Sequence, residues 1–138
     1  MNLHFNLLVV GALQILLALA HLAFPKRFAW KEEFARVSLL NRQIFYVHAF
    51  FVCLVLVLFG SLSLACADEL LTPGRLARAV LIGLTLFWGA RLLCQFFVYS
   101  PQLWRGHRFN TAMHILFTGV WLYFGGTYGC ALARQFAS

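Results

Sequence analysis

Residues 79–99, AVLIGLTLFWGARLLCQFFVY, decide the fold. The run is long enough to cross a bilayer, which takes ~20 apolar residues in helical form. A single charge interrupts it, Arg91. A cation at that depth is costly and faces a protein interior or an aqueous cavity. On a helix, Trp88, Arg91, Gln95 and Tyr99 follow i, i+3, i+7, i+11 and share one face. This span therefore carries a polar stripe, and the question for the rest of the chain is what meets it.

Composition sets the class. The chain has 138 residues, of which 62% are hydrophobic and only 11% charged. A soluble domain carries about 25% charged residues. Too little charge remains here to cover a water-facing surface, so the chain belongs in a membrane. Its length suits four spans with short loops: an all-α integral membrane protein, an antiparallel four-helix transmembrane bundle forming one domain. The spans are expected at roughly 3–24, 44–64, 79–99 and 110–133. All three prolines, Pro25, Pro73 and Pro101, fall between them, as proline breaks helices. Within the connection 25–43, Trp30, Phe34 and Val37 lie at helical spacing among charges. Part of it reads as an amphipathic helix along the interface. Met1-Asn2-Leu3-His4 lacks the basic start of a cleaved signal, so the first span reads as an anchor.

Charge sets orientation. The connections after the first and third spans carry Lys26, Arg27, Lys31, Arg36, Arg42, Arg105 and Arg108, and the opposite side carries Arg75, Arg78 and Arg134. The positive-inside rule then puts the long basic connections in the cytoplasm and both termini outside a cytoplasmic (inner) membrane. The net charge of +7 suits anionic headgroups. No soluble domain is left to present a basic face to nucleic acid.

Depth along the helices suggests a site. His21, His48, Gln95 and His114 each fall roughly 5–8 Å inside the cytoplasmic end of their spans. Arg91 is one turn deeper, and His4 is at the far side. On the fourth span Asn110, His114, Thr118, Trp121 and Gly125 share a face. Imidazole is the commonest metal ligand, and facing helices of a bundle hold cofactors. His21, His48 and His114 are thus candidate ligands for b-type haem or for one transition-metal ion (Fe, Cu or Zn). Trp88, Arg91, Gln95 and Trp121 are candidate cofactor-binding residues. All four acids, Glu32, Glu33, Asp68 and Glu69, are in loops, so Arg91 finds no carboxylate within the spans. An anionic ligand group such as a haem propionate would pair with it.

The expected function is redox or electron transfer with a membrane redox partner. Two alternatives stand beside it: a cofactor-free accessory subunit of a larger complex, packing through Gly125, Gly126 and Gly129, and a three-histidine metal enzyme. No HExxH signature supports the enzyme. The four cysteines form no CxxC pair, which argues against thiol–disulfide chemistry built on that motif. Whether Cys66 and Cys130 join is open at this point.

Overall fold

The computed structural model of the chain describes residues 2–103 and 106–137. The fold is all-α, with four helices long and apolar enough to span a membrane. They are α1 (Leu3–His21), α4 (Leu39–Ala65), α6 (Arg75–Phe97) and α7 (Arg108–Ala137). Single turns α2 (Phe24–Arg27) and α3 (Trp30–Glu33) and the short α5 (Ala67–Leu71) connect them, with 3-10 turns at Phe34–Arg36 and Pro101–Leu103.

Three helices extend beyond the apolar runs that mark them in the sequence. The start of α4 is at Leu39, where the Ser38 hydroxyl accepts from the Asn41 N–H and the Ser38 carbonyl accepts from Arg42. The first helical hydrogen bonds thus form among polar residues. The third helix begins at Arg75, directly after the Pro73-Gly74 turn, and α7 runs for 30 residues. A 30-residue helix spans about 45 Å, against a hydrocarbon core of ~30 Å. Backbone hydrogen bonding needs no apolarity, so helices continue past the hydrocarbon edge.

Within the connection 25–43, the stretch 30–36 is helical as the spacing of Trp30 and Phe34 predicts: a single α turn at Trp30–Glu33 continues into the 3-10 turn Phe34–Arg36, and Val37 is already extended. Ala29, with φ 47° in the left-handed region, separates this stretch from the turn before. The aromatic residues of the stretch pack on rings of the next helix. Trp30 lies 4.7 Å from Phe45 and 5.9 Å from Tyr46, and Phe34 lies 4.4 Å from Phe45, between ring centroids. These contacts pin the segment to the first turns of α4.

The chain divides into two compact units, Met1–Leu7 with Cys66–Ser138, and Leu8–Ala65. The second unit pairs α1 with α4 through two glycines. A Cβ added at Gly11 would stand 2.8 Å from the Gly60 carbonyl and 2.8 Å from Leu64 Cγ; one at Gly60 would stand 2.8 Å from the Gly11 carbonyl and 2.9 Å from Ile15. Residue 11 thus meets 60 and 64 while 15 meets 60, the pattern of antiparallel helices. The first unit is an α6–α7 hairpin. Residues 85, 88 and 95 meet 129, 125 and 114 respectively, again antiparallel. Its core side chains include Leu81, Leu84, Trp88, Trp121, Phe124, Tyr128 and Ala131. Tyr123 donates to Asn6 Oδ1 at 2.7 Å and ties the start of α1 to this hairpin. All four cysteines are free thiols, Cys66 and Cys130 included.

Candidate functional site

The polar stripe of α6 meets α7. Gln95, four residues beyond Arg91, stands on the same helical face and is buried. Its Oε1 accepts from Arg91 Nη1 and from Trp121 Nε1, each at 3.3 Å. Reversing the amide would turn its NH2 toward two donors, so these bonds set its orientation. Gln95 Nε2 then faces His114 Nδ1 at 2.8 Å and donates to it. Nδ1 being the acceptor, the neutral His114 ring carries its proton on Nε2. Thr118 donates back to the His114 carbonyl at 2.7 Å.

Arg91 is half-buried, and its charge is met by π faces. Its Cζ lies 4.7 Å from the Trp121 ring centroid and 5.7 Å from that of Tyr99. Such contacts are worth up to about 2 kcal/mol where water is excluded. Trp121 also stacks on Trp88 at 5.2 Å and 15°, and on Phe117 at 5.6 Å and 17°. A wall of flat rings thus runs beside the guanidinium. Trp88 is 1% exposed, and its indole N–H meets no acceptor among the described residues. The hydroxyl of Thr85, one turn away on α6, is in the same state. Both are desolvated polar atoms that a ligand atom or water would satisfy.

Comparison with family models, with characterised proteins and with solved structures finds no match. The chemistry of the site is read from its own residues.

Of the residues singled out by sequence, Trp88, Arg91, Gln95, His114 and Trp121 come together in the first unit. His21 and His48 belong to the second. There, His21 Nδ1 lies 2.7 Å from the Leu17 carbonyl and His48 Nδ1 lies 2.8 Å from the Ile44 carbonyl. A carbonyl only accepts, so Nδ1 donates and Nε2 keeps its lone pair. Along the antiparallel pair, His21 is ten residues from Gly11 and His48 twelve from Gly60, rises of about 15 and 18 Å toward the same end. His48 is exposed and starts further into its helix than the apolar run implies, because α4 begins at Leu39. Among the described residues, no group of three or more His, Cys, Asp or Glu side chains is gathered to hold a metal ion. His4 pairs with Asp68 at 3.3 Å, at the end of the first unit away from His114. Arg105, one of the cations of the connection after the third span, lies outside the described residues.

The sequence reading missed Phe117 in the ring stack and Gln135, a buried side chain near the end of α7. A signal for Gln135 exists: Trp121, Phe124, Tyr128, Ala131 and Gln135 alternate steps of three and four, the stripe of one buried face, and all are buried.

Proposed function

We propose that this chain is a multi-pass membrane protein that binds the acid group of a membrane-soluble molecule at Arg91. One observation carries the reading. The guanidinium sits inside a spanning helix, yet its partners are one amide oxygen and two ring faces, with no carboxylate within ion-pair distance among the described residues. A guanidinium has five donors in a planar fork and binds an oxyanion in two places at once. Gln95, held by Trp121 and His114, fixes one edge of that fork. Phe117, half-buried and stacked on Trp121, offers apolar surface for the body of the ligand.

The test uses pyrene-labelled hexadecanoate as probe and its methyl ester as the uncharged control, on purified protein in detergent. The acid is expected to bind at least about tenfold tighter than the ester, the size of a charge-assisted bond. Arg91→Lys keeps the charge but loses the planar fork and is expected to weaken binding about tenfold. Arg91→Leu removes binding while the fold survives, since a buried cation is itself costly. Wild-type affinity in both variants would make Arg91 a packing residue only and end this reading.

A second reading keeps the redox role. The tautomers of His21 and His48 are those of metal ligands, whose other ring nitrogen usually donates to a carbonyl or carboxylate. Both residues lie toward one end of their unit, where together they would hold b-type haem or a single Fe, Cu or Zn ion. His114 fits less well, because its Nδ1 is taken up by Gln95 and its Nε2 holds the proton. When bound, haem would supply one-electron transfer to a membrane redox partner. A Soret band in the purified protein, lost in His21→Ala and in His48→Ala, is the expected result. A spectrum without it, together with no stoichiometric metal, eliminates this second reading and leaves the acid-binding site untouched.

Orientation follows from charge. Both termini are placed outside the cytoplasm, with the 25–43 and 100–109 connections inside. A reporter fused at the C-terminus of α7 should be active only on the non-cytoplasmic side. Cytoplasmic activity would invert the arrangement.

A further inference from the structure

The connection after α1 carries a feature that the Arg91 site does not use. Lys26 on α2, Lys31 on α3 and Arg36 on the following 3-10 turn are all exposed. Glu32 and Glu33 lie among them in sequence, yet among the described residues no carboxylate is within ion-pair distance of any of the three. Their charges are therefore not neutralised within the unit. The backbone that carries them is held in place. Trp30 and Phe34 pack edge-on or tilted against Phe45 and Tyr46 of α4, and Phe24 packs between His21 and Phe28. Exposed apolar side chains flank and interleave the cations along the chain: Leu22, Phe28, Leu39 and Leu40.

We propose that this pinned basic segment is a binding site for an anionic glycerophospholipid. Lys26, Lys31 and Arg36 would meet the headgroup phosphate, and the exposed apolar residues beside them would meet the acyl chains. The charge complementarity is direct: three exposed cations without carboxylate partners, at the mouth of a helix pair whose composition places it in a membrane. Tyrosine and tryptophan rings at this level are the side chains that settle at the headgroup boundary. Pinning matters because a headgroup that meets preorganised cations spends less free energy on ordering them. The occupant is a lipid rather than a free anion, because the cations are interleaved in sequence with exposed apolar residues that a soluble phosphate would not cover.

The test uses the purified full-length chain in dodecyl maltoside, titrated with dioleoylphosphatidylglycerol or with dioleoylphosphatidylcholine and followed by its thermal unfolding midpoint. The anionic lipid should raise the midpoint at lower concentration than the zwitterionic one. The triple variant K26Q/K31Q/R36Q should weaken the response to phosphatidylglycerol about tenfold or more. R75Q, a cation in the other unit, should leave it unchanged. Molar salt should weaken the wild-type preference, as screening removes the attraction of exposed charges. Equal responses to the two lipids, or full preference in the triple variant, overturn the proposal. Glycerol 3-phosphate reproducing the midpoint shift would show a site for a free anion and overturn it too. Should the triple variant fail to fold, the salt series on the wild type decides: a preference unchanged in molar salt is not electrostatic and sinks the proposal.

Discussion

Valine at Gly60 or at Gly11 is expected to cost this protein at least ~3 kcal/mol, the upper end of what overpacking a tight interior does. Each glycine stands against the backbone of the other. The Cβ of any residue at 60 would come within 2.8 Å of the Gly11 carbonyl oxygen, and one at 11 within 2.8 Å of the Gly60 carbonyl oxygen. A backbone oxygen cannot rotate aside as a side-chain tip does, so α1 and α4 must separate along their length. Small residues let helix backbones approach this closely, and in a bilayer close packing replaces the hydrophobic drive that pairs helices in water. Even alanine should be poorly tolerated at both positions. By contrast Gly83 and Gly89, where an added Cβ meets nothing within 4 Å, should accept alanine and gain helix propensity of up to ~1 kcal/mol each. Unfolding in bicelles with a steric trap on α1 measures all four. Near-wild-type stability for Gly60→Val would mean that the α1–α4 contact does not hold the unit together.

Gln135→Leu is expected to cost about 3–5 kcal/mol, summed over three backbone groups left without partners. Gln135 is 2% exposed. Its Nε2 donates to the Leu70 carbonyl at 2.8 Å and the Thr72 carbonyl at 2.9 Å, and its Oε1 accepts from the Gly74 N–H at 3.0 Å. One amide thus closes the connection between α5 and α6 against the end of α7. Leucine fills the same volume but provides neither donor nor acceptor. Gln135→Glu keeps the acceptor for Gly74 but sets oxygen against two carbonyls, so it should be no rescue. The exposed Gln102 serves as control, where alanine should change stability by less than ~0.5 kcal/mol. Hydrogen exchange reports the same event locally: the amides of residues 70–75 should lose protection in Gln135→Leu before those of α6 do. Unchanged exchange there would show that Gln135 is not the clasp.

The sequence alone determined the class and much of one site. Long apolar runs and scarce charge place four spanning helices, because partition into lipid depends on composition summed along a segment. The face of α6 bearing Trp88, Arg91 and Gln95 was equally legible, since helical periodicity is a local property of the chain. On α7, the shared face of His114, Trp121 and Gly125 came from the same rule. What spacing supplies is depth along each helix, and equal depth brought His21, His48 and His114 into one expected layer. Which side chains touch depends on azimuth and on which helices are neighbours, and neither is written in the spacing of a single segment. Only the tertiary structure joined Gln95 to His114 and turned Arg91 onto the rings of Trp121 and Tyr99. The proton on His114 Nε2 is likewise a tertiary result, because three residues from two helices must act together to orient one amide. The pairing of Gly11 with Gly60 and the reach of Gln135 to residues 70–74 have the same origin: contacts between distant residues, selected by shape and by hydrogen bonds that no single helix can complete.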